Sequence, residues 1–544
     1  MQKREGFLRL LFFRMECGGL FMKRFSALAV ISLACADMAN AQGRPLDWSS
    51  FGNDAQRTGW EKSDTRITKE NVKDFQLVLR RKLENKQTLT PPVVIGLLIS
   101  YRGFKELAFV AGSSDNMWAI DADMDRIFWK KHFEYSSDKP KPAASALCPG
   151  GLTAFPSLTP PINFSAARPA RAPGAAAPPA AAPVPGSTTG VRGILGGTGF
   201  GAARPAFAVS SDGKLHVMNT STGDDVAPAI SFLPASAKAS TLTVHDGTVY
   251  TTTSSSCGAA SNGVHAIDLT LPDPKVATFE LNGGDVSGVG GTALGTDGTV
   301  YVQTGPGPLD PASNKWSNTV LALSPKELKL KQYFTGNTGS NTKKTQNLNA
   351  TTPVVFPWNG RDLIVSAGQD GGLYLLDSQS LGGEDHKTPL YQTAPLASAP
   401  NGIYGGLSTW LDQDGTRWVL APVWGPANPQ LKSLATNGAA PNGSIIAFKL
   451  EERDGKPVLT PAWVSRDLSS PVPPVITSGI VFALSTGNHA TLYALDATTG
   501  KELYSTGNQV KTPANLTGMT VANGRVYFTT TDSTLYAFGI FLER

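Results

Sequence analysis

The stretch Tyr493-Ala494-Leu495-Asp496-Ala497-Thr498-Thr499-Gly500-Lys501-Glu502-Leu503-Tyr504 decides how this chain folds. Its first four residues form a short apolar strand ending in Asp, and its Thr-Gly step turns the chain into a second strand. Working outward, the same strand recurs as Trp118-Ala119-Ile120-Asp121, His216-Val217-Met218-Asn219, His265-Ala266-Ile267-Asp268 and Leu321-Ala322-Leu323-Ser324. It returns as Tyr374-Leu375-Leu376-Asp377, Ile446-Ala447-Phe448-Lys449 and Tyr536-Ala537-Phe538-Gly539. Successive spacings are 98, 49, 56, 53, 72, 47 and 43 residues. Apart from two expanded units, that is the period of roughly 40 to 50 residues expected of a four-stranded propeller blade.

Around the quoted stretch, Pro474-Val475-Ile476, Ile480 to Leu484, Leu492 to Asp496 and Glu502-Leu503-Tyr504 read as a meander of four strands. Turn residues such as Gly487-Asn488 and Thr499-Gly500 separate them. The eighth unit stops after its third strand, near Phe541, and a strand-like stretch from Phe75 to Leu83 supplies the missing fourth. Closing the ring in this way removes an exposed edge. The sequence therefore predicts an all-β chain, an eight-bladed β-propeller of four-stranded antiparallel blades over residues 68–544, preceded by a cap segment at 42–67. An N-terminal strand completes its last blade.

Composition agrees. The chain has 56 Gly and 39 Pro, and only 17% of its residues are charged, which excludes coiled coils, helical bundles and charged disordered tails. About 45 extra residues separate the first two units, including Arg168-Pro169-Ala170-Arg171-Ala172-Pro173 and an Ala/Pro tract through Pro185. This insertion, at about 166–190, lacks apolar periodicity and reads as an extended surface loop; a functional lid stays open as the alternative.

Residues 1–41 carry six basic and three acidic side chains, so they account for +3 of the formal net charge of +5. The remaining +2 gives no electrostatic case for nucleic acid. Met22-Lys23-Arg24, the apolar run Phe25 to Ala36 and Ala39-Asn40-Ala41 before Gln42 read as a secretory signal, with Met22 as its natural start. An anchor helix and a lipid attachment at Cys35 are the alternatives. The expected location is the periplasm or the exterior, and the mature chain has no apolar run long enough to span a membrane. Export would leave Cys148 and Cys257, for which one disulfide or two buried thiols remain open. No CxxCH is present, and His132, His216, His245, His265, His386 and His489 show no metal-ligand spacing.

The stretch from Ala494 to Tyr504 resembles the A-x-D-x-x-T-G-x-x-x-W repeat of the pyrroloquinoline quinone (PQQ) quinoprotein family, with Tyr504 in the Trp position. Ala119, Asp121 and Trp129 match it in the first unit, and Asn219, Thr222 and Gly223 in the second. The opening Asp47-Trp48-Ser49-Ser50-Phe51-Gly52-Asn53-Asp54, the step Val302-Gln303-Thr304-Gly305 and Asn314-Lys315-Trp316 extend the likeness over nearly the whole mature chain. The resemblance implies the propeller fold. Quinoprotein alcohol dehydrogenases hold PQQ and Ca²⁺ with a Gly-Asn step in the fourth blade and an Asp-containing stretch before the next. Here Pro306 stands where that Asn is expected, and 335–353 offers amides but no Asp. The vicinal Cys-Cys of many members is also missing.

Asn347, Asn349 and Thr351 are the candidate ligand-contacting residues at the channel mouth, with loop capping as the competing role. Asp370-Gly371-Gly372 reads as a hairpin turn. His216 and His265 read as packing residues, since they hold the strand position of Trp118, Tyr374 and Tyr493. No other catalytic motif is present, and no catalytic residue or metal ligand is assigned. Two functions follow. One is an exported propeller that binds a protein, glycan or small ligand without turnover, similar in architecture to the propeller scaffold of the outer-membrane β-barrel assembly machinery. The other is a PQQ- and Ca²⁺-dependent alcohol dehydrogenase similar to poly(vinyl alcohol) dehydrogenases, passing electrons to a separate cytochrome c.

Overall fold

A computed structural model of the chain describes residues 47–84, 88–100, 103–134, 145, 147–159, 204–286, 288–336, 348–431 and 434–540. The expected signal segment, the Pro/Ala insertion and Asn347 lie outside the described residues.

Eight small sheets form the eight blades. Blade 1 runs Val93–Ser100, Gly103–Gly112, Asn116–Asp121 and Arg126–His132 as an antiparallel meander. The first strands of blades 2 to 6 are Ser157–Leu158, Thr243–His245, Ala293–Leu294, Val354–Trp358 and Ser408–Leu411. Blade 7 is Val475–Thr477, Ile480–Ser485, Thr491–Asp496 and Glu502–Ser505, the four strands expected from sequence. Blade 8 holds Thr520–Ala522, Arg525–Thr529 and Thr534–Gly539. Its outermost strand is Gln76–Lys82, paired antiparallel with Thr534–Gly539, so the N-terminal strand closes the ring as predicted. A buried cluster seals the seam between the first and last blades. Glu106, 2% exposed, accepts from Arg525 Nη1 at 2.8 Å, from Asn523 Nδ2 at 2.6 Å and from the Tyr527 hydroxyl.

The repeated turn explains how neighbouring blades lock together. Asp496 Oδ1 accepts from the backbone N–H groups of Thr498 and Thr499 at 3.0 and 2.9 Å. Burial pulls this carboxyl up, but hydrogen bonds from Lys69, Thr498 and Thr499 outweigh it and hold the group at about 2. Gly500 has φ of 72°, and a Cβ there would collide with the Trp463 ring. Trp463, on the outer strand of blade 6, instead lies over the turn and donates Nε1–H to Ala497 O at 3.1 Å. Trp129 of blade 1 repeats the arrangement, donating to Thr220 O at 2.9 Å over Gly223 of blade 2. The Asp sets the turn, the Gly clears a space, and the indole of the preceding blade fills it.

The segment from Trp48 to Asp64 makes a circuit of the propeller axis. Trp48 pairs with Val94 of blade 1, and Ser49 O accepts from Leu158 N of blade 2 at 2.8 Å. Ala55 O, Gln56 O and Thr58 O accept from Leu294 N, Val355 N and Thr409 N of blades 4, 5 and 6, at 2.8 to 3.0 Å. Trp60–Glu61 then adds a parallel strand to Val475–Thr477 of blade 7, and Asp64 Oδ2 accepts from Gly524 N of blade 8 at 2.7 Å. Arg57 fills the middle, 1% exposed. Its guanidinium donates to Thr292 O at 2.8 Å, Phe51 O at 2.7 Å, Ser50 Oγ at 3.1 Å and the Thr243 hydroxyl. Those four acceptors satisfy the buried cation, although burial still lowers its pKa to about 10 against the opposing pull of Asp54.

Candidate functional site

A cavity of about 490 Å³ opens at one end of the axis. Its walls are the segments that lead into the first strands of blades 1, 2, 3, 4 and 8, among them Thr88, Thr153, Lys238, Asp285 and Asn515. Such segments cross the axis end because each connects the outer strand of one blade to the inner strand of the next. Phe155, also in the wall, packs on Phe51 of the axial segment with ring centroids 6.1 Å apart. Phe51 is approached so closely that a Cβ on Gly290 would lie 2.7 Å from its ring. The axial segment therefore fills the channel below the cavity.

The disulfide Cys148–Cys257 forms, with Cα atoms 5.5 Å apart. It ties the lead-in to blade 2, beside Pro149, to the turn of blade 3 beside Ser254 and Ser255, and all three of those neighbours line the cavity. Tyr404 reaches the wall from the lead-in to blade 6. Its ring stacks on Trp424 at 4.6 Å and its hydroxyl donates to Leu516 O at 3.2 Å. Burial pushes that phenol up to about 12, so it stays a neutral donor. Asn515 Nδ2 donates to Thr529 Oγ1 at 2.9 Å and Thr530 O at 3.1 Å, which fixes the amide. Asp285 Oδ1 accepts from Ser255 N at 3.2 Å.

Thr351 sits in the seam between blades 4 and 5, and Asn349 links that seam to blade 6 through Gly402–Ile403, which pairs with Arg417–Trp424. Asn349 exchanges two hydrogen bonds with Ile403, N to O at 2.8 Å and Oδ1 from N at 2.9 Å. Thr351, fully buried, donates its N–H and its hydroxyl to Gln303 Oε1 at 3.0 and 3.1 Å. Gln303 also takes the Ser366 hydroxyl at 2.6 Å and donates to Asn349 O at 3.2 Å. Neither Asn349 nor Thr351 is among the residues lining the 490 Å³ cavity. Pro306 is exposed, and Gly305 before it donates to Asp285 O at 2.7 Å. No sequence motif marks Lys238, Asn515 or Tyr404. The repeat places strands, but the lead-ins that form the wall follow no repeat.

His216 has the distances of a hydrolytic triad, with Ser210 Oγ at 3.0 Å from Nε2 and Asp225 Oδ2 at 3.1 Å from Nδ1. Yet Ser210 is 4% exposed, and the N–H groups of Ser210, Ser211, Gly213 and Lys214 are all committed to other acceptors. None of these four N–H groups is available to an oxyanion. His216 packs on Phe133 at 4.4 Å, in keeping with a packing role. His265, at the same strand position, lies between Thr253 Oγ1 at 2.8 Å and Thr278 Oγ1 at 3.1 Å, and burial lowers its pKa from 6.5 to about 4. The unfolded chain binds a proton in that window and the folded state does not, so stability falls as pH drops through it. The variant His265→Phe is expected to flatten this acid slope, regaining about 3 kcal/mol by pH 4. Indistinguishable acid-denaturation profiles would refute the assignment.

The cavity does not fit a PQQ–Ca²⁺ pair. Ca²⁺ takes six to eight oxygen ligands, usually including several carboxylates. Among the described residues, Asp285 is the only carboxylate in the wall, and no cluster of three or more His, Cys, Asp or Glu could hold a metal. PQQ is a planar tricarboxylate, and Lys238 is the only cation in the described wall to meet it.

Residues 442–540 match the family described as outer membrane protein assembly factor BamB. No curated protein matches the sequence. Among solved structures, the chain is similar to a quinohemoprotein alcohol dehydrogenase from Comamonas testosteroni, with TM-score 0.52 and 16% identity over 93% of this chain and 82% of that one. The quinohemoprotein alcohol dehydrogenase ADHIIG from Pseudomonas putida HK5 gives TM-score 0.52 and 11% identity over 92% and 81% of the two chains. A europium-containing methanol dehydrogenase gives TM-score 0.52 and 12% identity over 91% and 98%. At these identities the likeness establishes the fold. Among the described residues, no helix is long and apolar enough to cross a membrane.

Proposed function

We propose that this chain, an eight-bladed propeller of the quinoprotein type, is an exported scaffold that binds a ligand in its axial cavity without turning it over. One observation carries the reading: the described cavity wall holds a single carboxylate and a single cation. A metal-assisted hydride or proton abstraction needs a carboxylate base beside a metal shell of about six to eight oxygens, and Asp285 is the one carboxylate the described wall offers for both. The family description matched by the outer part of blade 6 and by blades 7 and 8, an assembly factor, agrees with a non-catalytic role. The signal-like residues before Gln42 support export.

The fold's likeness to quinohemoprotein alcohol and methanol dehydrogenases favours a second reading, a PQQ-dependent dehydrogenase with a divergent site and a separate cytochrome c as acceptor. The two separate in one experiment. The protein is titrated with PQQ and Ca²⁺, then assayed with an artificial electron acceptor against a panel of primary and secondary alcohols. Neither saturable PQQ binding nor turnover is expected. Saturable binding accompanied by turnover would overturn the scaffold reading.

A further inference from the structure

We infer that the axial cavity is a binding site for a neutral, hydroxyl-rich ligand of one or two sugar rings. This rests on the binding reading above and names the ligand class for the same site.

Charge narrows the choice first. With one Lys and one Asp, the described wall has no net charge. A polyanion entering it would leave carboxylates desolvated and mostly unpaired, which is costly. Size narrows it next, because 490 Å³ lies in the lower half of the roughly 300–1,000 Å³ occupied by small-ligand pockets.

The polar groups then point to hydroxyls. Thr88, Ser254 and Thr531 line the cavity, and their side-chain hydroxyls make no hydrogen bond within the described residues. A hydroxyl both donates and accepts, so such a wall matches a ligand whose own groups do the same. Asn515 adds a fixed polarity. Both of its amide hydrogens are spent on Thr529 and Thr530, so Oδ1 remains to accept from a ligand hydroxyl. An extended peptide fits less well, since it needs a sheet edge to pair with. The wall's strand Lys238–Ala239 pairs with Ser254 and Thr253 on one side, and on its outward side Ala239 N is already spent on Thr153 Oγ1 at 2.9 Å.

The apolar part of the wall completes the match. Sugar rings carry C–H faces as well as hydroxyl rims. Tyr404, held in place by Trp424 on its face and by Leu516 O at its hydroxyl, is a rigid aromatic surface for such a face. Leu89 and Val289 line the same cavity.

The test is isothermal titration of the full chain with glucose, maltose, cellobiose and trehalose, in parallel with citrate, tetra-alanine, and PQQ with Ca²⁺. Intrinsic fluorescence of the Tyr404–Trp424 pair serves as a second signal. At least one neutral saccharide is expected to bind saturably, with citrate and tetra-alanine silent. Asn515→Leu and Tyr404→Ala should each weaken that binding tenfold or more. Lys238→Met keeps the inference testable if Asn515→Leu fails to fold, with an expected loss of at least threefold. Lys329→Ala, on the exposed rim of blade 4, should bind as the wild type does. Absence of saccharide binding, wild-type affinity in the folded cavity variants, or binding of citrate or tetra-alanine in place of sugars would overturn the inference. PQQ binding with turnover would overturn the scaffold reading itself, whereas silent saccharides with silent PQQ remove only the ligand class.

Discussion

Replacing Cys148 and Cys257 by serine is expected to lower the stability of the propeller by about 4 to 5 kcal/mol, from the chain entropy of the loop the bond closes. The bonded cysteines are 109 residues apart in sequence, and the entropy of closing a loop grows with its length. The loss should appear as a lower denaturant midpoint for the double serine variant. Wild-type protein unfolded in the presence of a reductant should reach the same midpoint. The bond's place adds a second consequence. Pro149, Thr153 and Phe155 follow Cys148 into the cavity wall, and Ser254 and Ser255 precede Cys257 in it. Without the tether the blade 2 lead-in loses its covalent hold on blade 3, so ligand affinity should fall along with stability. An unfolding free energy within about 1 kcal/mol of wild type would show that the contacts around the lead-ins, such as Ala239 N donating to Thr153 Oγ1 at 2.9 Å, already hold the wall.

Arg57→Leu is expected to cost about 3 kcal/mol or more, because it strands several buried acceptors at once. The guanidinium serves carbonyls of Phe51 and Thr292 and hydroxyls of Ser50 and Thr243, which come from the axial segment and from blades 3 and 4. Leucine fills part of the volume and supplies no donor. Arg57→Lys should recover only a fraction, since an ammonium lacks the planar fork that reaches acceptors in several directions. Thermal denaturation of the three proteins gives the order wild type, Lys, Leu. An Arg57→Leu protein as stable as wild type would mean that the axial segment is not a stabilising part of the ring. A looser segment would also leave Phe51 free to shift beneath Phe155, so the same variant should weaken ligand binding at the cavity.

Much of the fold was legible because it repeats. Tyr493 to Asp496 and its copies each need a turn-setting Asp or substitute and space for an indole, and those demands leave marks at fixed offsets. The closing strand was legible for a similar reason, since a last unit lacking its outer strand requires one from elsewhere. Counting left Cys148 and Cys257 as the candidate pair, and the structure decided between a bond and two thiols. The cavity was not. Lys238 lies in a short stretch without periodicity, Asn515 follows Pro513-Ala514 in a lead-in, and Tyr404 sits among glycines. Asn349 and Thr351 drew attention as polar residues before a first strand, but the seam they occupy is held by Gln303, 46 residues from Asn349.

The sequence by itself determined the eight units, their order, the strand that closes the ring and the two cysteines available to pair. These follow from local demands of turn and strand, which each unit satisfies with its own residues. Only the tertiary structure decided that Trp48 to Asp64 circles the axis, that Arg57 is its buried centre and that the described cavity wall is almost free of charge. Those features join residues from different blades, hundreds of positions apart, and no local pattern of apolar and polar residues records which lead-ins will meet at the axis.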